Sequence, residues 1–354
     1  MRFGFAFGGH LAKDKQICVL TNRTASSNIT KIMKPHRSYF LSALAAAALC
    51  SGFCFPGGVA PAAEKKLVVG FSQIGAESAW RTAETESIRS EAARRGIELK
   101  FSDAQQKQEN QIKALRAFIA QKVDAIILAP VVETGWEPVL REVKRAKIPV
   151  VLVDRGVTVS DESLYATLIA SDFVQEGRFA AQWLAKKLKG KGNIVELQGT
   201  PGAAPAIDRK KGFEAVLVKH PGLKIIKSQS GDFTRAKGKE VMEAFLKTEG
   251  KNIQAVYAHN DDMALGAIQA IEEAGFKPGT NIVVVSIDGV KSAFEAMVAG
   301  KLNCSVECNP LLGPAAFDAV ESIRNGKPML KRTIVRDQIF DQSNARELIA
   351  SRKY

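Results

Sequence analysis

From residue 67 onward, short apolar runs alternate with longer stretches of helical period. Runs without polar alternation, such as the Ile-Pro-Val-Val-Leu-Val of 148–153, read as strands buried on both faces, as in a parallel sheet. Stretches such as 110–121, where Ile112, Leu115, Phe118 and Ile119 recur on one face, read as amphipathic helices. This pattern predicts strands at 67–71, 97–101, 124–129, 149–153, 164–169, 193–197, 223–228, 253–258 and 282–287. Between them it predicts helices at 80–95, 110–121, 136–146, 174–188, 207–218, 235–247 and 263–274. Short helices at 293–299 and 315–325 and late strands at 304–306 and 333–340 close the series. Such a series implies an α/β fold of parallel sheets with helices on both faces. More than about ten strands overfill one comfortable sheet, so two Rossmann-like lobes are expected.

The strand ends share a chemistry. The run at 149–153 stops at Asp154-Arg155-Gly156, and the first strand is followed by Glu77-Ser78-Ala79-Trp80-Arg81. Asp208-Arg209 lies beyond the strand at 193–197, Asp232-Phe233 beyond 223–228, His259-Asn260-Asp261-Asp262 beyond 253–258, and Asp288-Gly289 beyond 282–287. In an open parallel sheet the carboxyl ends of the strands are where ligands bind. Asp supplies acceptors and Arg a rigid fork of donors, so together they can hold neighbouring hydroxyls in opposite hydrogen-bonding senses. An aromatic ring such as Trp80 would cover the C–H face of a sugar. Several of these residues also have plain structural readings. Asp261 and Asp172 are expected to cap the helices that follow them. His259 is expected to be structural, and Phe233 serves equally well as core or as platform.

No catalytic constellation stands among them. A G-x-G-x-x-G turn, a phosphate-binding loop, a G-x-S-x-G elbow and an H-E-x-x-H helix are all missing from the sequence. The expectation is a binding protein without cofactor or metal, not an enzyme.

Charge and targeting sharpen this picture. The net charge is +13, but residues 1–63 hold seven basic residues and one acid, which leaves +7 for the remainder. The basic residues there are dispersed over helices with no Lys/Arg block, which argues against nucleic-acid binding. From Met33 the chain has the parts of a secretory signal: Lys34 and Arg37, an apolar stretch at 39–55, and small residues ending in Ala60-Pro61-Ala62. Cleavage is expected after Ala62, with export to the periplasm, and Met33 is the expected start of translation. Residues 1–32 then form an extension without predicted structure. Of the five cysteines only Cys304 and Cys308 follow the cleavage point. On one strand their Cα atoms would lie about 13 Å apart, beyond disulfide reach.

The quoted segments resemble a known family. Residues 72–81, Asp154-Arg155, the Ile-Asp-Arg-Lys-Lys-Gly-Phe of 207–213, the Gly-Asp-Phe-Thr-Arg of 231–235, residues 259–263 and Ser286-Ile287-Asp288-Gly289 are similar to the periplasmic sugar-binding proteins of the ribose-binding type. The likeness covers nearly all of the chain after Ala63. At 75–81 and 134–139 it is nearest to the galactofuranose-binding branch of that family. The resemblance implies a type I periplasmic binding protein, with two lobes joined by a three-segment hinge and a monosaccharide clamped between them. The expected division is 64–168 plus 308–332 for the first lobe and 169–307 plus 333–354 for the second. Ligand contact is implied for Glu77, Ser78, Ala79, Trp80, Arg81, Asp154, Arg155, Arg209, Asn260 and Asp288. Cys308 departs from the polar or small apolar residue usual in relatives, which puts a contact there in doubt. The implied function is delivery of a galactofuranose-like sugar to an inner-membrane ABC permease, as a monomer. A signal-sugar binding protein serving a chemoreceptor has the same fold and is the alternative. A sugar-responsive transcription regulator shares the core but needs a DNA-binding headpiece where the export signal stands.

Overall fold

A computed structural model describes residues 17–20 and 66–354. Two parallel sheets, each flanked by helices, form two lobes. The strands are β1 (Ile17–Leu20), β2 (Val68–Gln73), β3 (Glu98–Asp103), β4 (Ala125–Leu128), β5 (Val150–Val153), β6 (Thr167–Ser171), β7 (Lys191–Gln198), β8 (Gly222–Ser230), β9 (Ala255–Ala258), β10 (Val283–Asp288), β11 (Cys304–Glu307), β12 (Arg332–Val335) and β13 (Ile339–Asp341). The first sheet has the order β1-β12-β6-β5-β4-β2-β3 and the second β13-β11-β10-β9-β7-β8. Every pairing is parallel except that of β13 with β11.

The expected central strand is β5. It is buried along its whole length and lies between β4 and β6, because the βαβ crossovers cover both of its faces. The helices that matter for the cleft are α1 (Ala79–Arg94), α4 (Phe173–Lys187), α5 (Ala204–Leu217) and α7 (Asp261–Glu273). The intervening α2 (Gln108–Ala120) and α3 (Glu137–Arg145) cover the first sheet, and α6 (Arg235–Glu249) covers the second. Beyond α7 come α8 (Lys291–Val298), α9 (Gly313–Arg324) and α10 (Ala345–Leu348).

Four features depart from the sequence reading. The strand expected at 333–340 is two strands in different sheets: β12 pairs with β6, β13 pairs with β11, and Arg336-Asp337-Gln338 crosses between the lobes. Apolar patterning cannot register that crossing, because both halves are short, partly exposed strands with the same local pattern. Likewise β6, expected to be divided at 168, stays in the first sheet to Ser171, since it pairs with both β5 and β12. The chain therefore crosses after Ser171, after Glu307 and after Val335. Third, Ile17–Leu20, in the extension expected to lack structure, lies parallel to β12 as an edge strand. Finally, α5 begins at Ala204, earlier than the apolar period suggests, with Pro205 in its first turn, where a missing N–H costs nothing.

Residues 33–62, with the expected export signal, lie outside the described residues. Among the described residues no helix is long and apolar enough to cross a membrane, and no group of three or more His, Cys, Asp or Glu could hold a metal ion.

Candidate functional site

The carboxyl ends of both sheets face one small cavity between the lobes. The first lobe lines it with Glu77, Ser78, Trp80, Arg81, Asp154 and Arg155, the second with Pro205, Arg209, Phe233, Asn260 and Asp288, and the crossing segment after β11 with Cys308. The cavity is small, so any occupant is a compact molecule. Nine of the ten residues singled out in the sequence meet here. Ala79 does not: its side chain is exposed, and its amide donates to Asp262 Oδ2 at 2.8 Å, across the cleft.

Each side chain is placed by local structure. Ser78 caps α1, its Oγ accepting from the Arg81 amide, and this projects Trp80 and Arg81 from the first turn into the cleft. Trp80 packs with the second lobe's core, and its indole N–H donates to the Cys308 carbonyl at 2.6 Å. Asp154, Phe233 and Asp288 adopt positive φ (61°, 61° and 137°), a conformation that costs free energy for residues other than glycine. The strain turns each side chain off its strand end toward the cleft. Gly199 makes room for Phe233, since a Cβ there would stand 1.9 Å from the ring. Gly177 on α4 and Gly212 on α5 let these helices touch backbone to backbone, which sets the position of Arg209.

The arginines are held in different ways. Arg81 bonds to Glu77 Oε1 through Nε at 3.0 Å, to Asp154 Oδ2 at 2.7 Å, and to Glu84 beneath it. Arg209 donates from Nε to Glu176 Oε2 at 2.7 Å and from Nη1 to the His259 carbonyl at 2.6 Å, with Asp288 Oδ1 3.7 Å away. Arg155 has far less. It donates to the Val131 carbonyl at 2.9 Å, and its Nε is 3.4 Å from Asp154 Oδ2 without hydrogen-bond geometry. Burial, and then repulsion from Arg81, lower its pKa to about 10. For Arg81 and Arg209 burial acts in the same direction, but their carboxylate partners outweigh it and hold both well above the usual range. Glu77 Oε2 and Arg155 Nε are buried without a hydrogen-bond partner among the described residues, one acceptor and one donor beside the cavity.

Three guanidinium groups therefore meet the carboxylates of Glu77, Asp154 and Asp288 at the cavity wall. With ring faces from Trp80 and Phe233, this lining suits a neutral polyhydroxyl molecule, because no positive charge is left over for an anion.

Some expected roles change. Asp261 is not the cap of α7; Asn260 is, with Oδ1 accepting from Met263 N at 3.0 Å while its amide donates to the Phe233 carbonyl. Asp261 instead accepts from Ser286 Oγ, Ser305 Oγ and Val290 N, which ties α7 to β10, β11 and the loop after β10. Asp172 does cap α4. His259 is buried, bonds to Glu196 Oε1 at 3.1 Å and accepts from Gly199 N, a structural position. Cys308 lines the cavity after all, and both Cys304 and Cys308 are free thiols. Pro205 carries no sequence signal for the cavity, because the apolar period begins only at 207 while α5 begins at Ala204.

The buried carboxylates give the fold a pH dependence. Burial raises Glu84 to about 7 and Asp261 to about 6, so between about pH 4.5 and 7 the folded chain binds more protons than the unfolded one. Stability falls as pH rises through that window. Glu196 acts oppositely. Burial pushes it up, but bonds from His259, Lys210 and Ser228 hold it at about 2, and its contribution is lost only as pH falls below about 4.5. The melting temperature should therefore be higher at pH 5.5 than at pH 8.5, by roughly 2–6 °C. A calorimetric scan that melts later at pH 8.5 would contradict this assignment.

The periplasmic binding protein domain family matches residues 69–328. The chain belongs to that family. It is 56% identical over 291 residues to the galactofuranose-binding protein YtfQ of Escherichia coli K12, covering 81% of this chain and 92% of that protein. A crystal structure of a galactofuranose-binding protein, 56% identical, superposes with a TM-score of 0.79 over 81% of this chain and 98% of the other. The binding component of the arabinose ABC transporter of Shewanella sp. ANA-3, solved with α- and β-L-arabinofuranose, is also 56% identical, with a TM-score of 0.79 over 81% and 95% of the two chains. The two parallel-sheet lobes are those of type I periplasmic binding proteins.

Proposed function

We propose that this chain is the exported solute-binding component of an ABC sugar importer, and that it clasps a monosaccharide in furanose form between its lobes. The observation that carries this reading is the cavity between the strand ends, walled from both lobes by paired Arg and carboxylate side chains and two aromatic rings. Relatives named for galactofuranose and solved with arabinofuranose support the ring form. Ligand contact is assigned to Glu77, Ser78, Trp80, Arg81, Asp154, Arg155, Arg209, Asn260 and Asp288, with Phe233 added as a second platform. Closure follows from geometry. The bond from Ala79 N to Asp262 and the bond from Trp80 to the Cys308 carbonyl both span the cleft, so the lobes that trap the ligand also exclude water from it. The closed form is the one that an inner-membrane permease would accept. Affinity in the micromolar range, about −8 kcal/mol, would permit both capture and release.

A thermal-shift screen tests the reading. L-Arabinose, D-galactose and D-fucose, which all populate furanose forms, should raise the melting temperature in proportion to RT ln(1 + [L]/Kd). No shift with any furanose-forming sugar at millimolar concentration would sink it. Export carries its own expectation: protein recovered from the periplasm should begin at or within a few residues of Ala63. Intact mass and N-terminal sequencing decide, and a recovered chain that retains Cys50 would rule out cleavage there.

A further inference from the structure

Beneath the cavity wall lies a second layer of charge. Glu84, on α1, is fully buried and bonds to Arg81 and to Gln73 Nε2 at 3.0 Å. Glu176, on α4, is 1% exposed and bonds to Arg209 Nε at 2.7 Å. Each lobe thus has one cleft arginine backed by one buried glutamate from a helix interior. Each glutamate also keeps one oxygen, Oε1, without a hydrogen-bond partner among the described residues. Neither glutamate lines the cavity. A buried carboxylate with an unmatched oxygen is expensive, and burial raises both groups above the ordinary range. A purely structural anchor for an arginine could be a backbone carbonyl, as His259 O already provides for Arg209.

We propose that Glu84 and Glu176 are specificity-determining positioning residues, which offset the cleft arginines from behind so that the site selects uncharged sugars and rejects sugar acids. The inference rests on the sugar-binding reading above. Glu84 occupies the inner edge of the Arg81 guanidinium, and Glu176 the Nε edge of Arg209. The remaining N–H groups of each fork are left to meet hydroxyl oxygens as oriented donors. With both glutamates in place, the three arginines face more carboxyl groups than their own number, and an ionised sugar acid would enter a field that repels it. Without them, the three arginines and the three wall carboxylates would only balance, and the field that repels an ionised sugar acid would be lost. The groups facing Glu84 are Arg81 from the start of α1, Asp154 from the end of β5, and Gln73 from β2. Those facing Glu176 are Arg209 from α5, Asp154, Asp288 from β10, and Cys308 and Asp337 from two crossing segments.

The test is the ratio of affinities for D-galactose and D-galacturonate by titration calorimetry, on wild type, Glu84→Gln, Glu176→Gln and the double variant. Galacturonate stays ionised throughout. The wild type should bind galactose and reject galacturonate. Each Gln variant should narrow the preference on the order of tenfold, and the double variant further, with galacturonate gaining while galactose weakens. The wild type alone supplies a second reading that needs no folded variant. Its preference should narrow from pH 8.5 to pH 5.5, as protonation of Glu84, which burial raises to about 7, imitates its substitution. Variants that lose both ligands by the same factor, together with a ratio independent of pH in the wild type, would reduce the glutamates to structural anchors and overturn the inference. A wild type that binds galacturonate as well as galactose would overturn it too. A wild type that binds neither these nor any furanose-forming sugar would fail the proposed function itself, and this inference with it.

Discussion

Arg81→Ala should melt far below the wild-type chain and lose sugar binding at the same time. The Arg81 guanidinium bonds to Glu77, Glu84 and Asp154, and all four side chains are no more than 5% exposed. Removing the arginine leaves three buried carboxylates without their cation, and breaking such a network costs about 3–5 kcal/mol. At about 2–4 °C per kcal/mol, the melting temperature at pH 8 should fall by roughly 6–20 °C. The fall should be smaller at pH 5.5, because burial has already raised Glu84 to about 7 and protonation removes its charge. Arg81→Lys should recover part of the stability but little of the binding, since a point charge cannot reach three carboxylates and also present a fork to the ligand. Melting curves at both pH values, with calorimetric titration of sugar, decide. An Arg81→Ala protein that melted within a degree or two of wild type at pH 8 would show that the network carries no such weight.

Arg155→Ala should behave in the opposite way, keeping its stability while losing affinity. Its pKa is depressed to about 10, first by burial and then by repulsion from Arg81, so the fold holds this cation at a cost. Among the described residues it donates one hydrogen bond, to the Val131 carbonyl, and stacks on the Phe233 ring at 5.2 Å. Its Nε has no partner among the described residues. A side chain so placed serves a ligand better than it serves the fold. Truncation would leave sugar hydroxyls unpaired in a dry cleft, at about 1–3 kcal/mol, or roughly tenfold to a hundredfold in affinity. The apo melting temperature should stay level or rise. Lys187→Ala, on the exposed end of α4, is the control and should leave affinity unchanged. Should Arg155→Ala bind sugar normally and melt early, the pair Asp154-Arg155 would be an ordinary strand-end ion pair.

Much of this protein is legible along the chain, for a local reason. A strand buried on both faces has to be apolar throughout, so β5 announces itself, and the residue that ends it, Asp154, marks the cleft in the sequence alone. Helix caps follow the same logic at Ser78 and Asp172, where a side-chain oxygen next to a helical period meets a free amide. The recurrence of Asp, Asn and Arg at strand ends places the site, because parallel sheets aim all those ends one way.

Only the tertiary structure decided the rest, where the deciding partner lies far off in sequence. Residues 333–340 read as one strand, and nothing local says that Arg332–Val335 joins β6 while Ile339–Asp341 joins β11. The local pattern at 260–261 favours either residue as the cap, and the two serines and the amide that claim Asp261 arrive from β10, β11 and the loop between β10 and α8. Ala79 sits between two cavity residues yet faces out, because the first turn of α1 rotates it about 100° from Trp80. Glu84 and Glu176 read as ordinary solvated positions of charged helices. Their burial is created by the arginines folded over them, Arg209 from a different helix, and no periodicity along a single segment encodes that encounter.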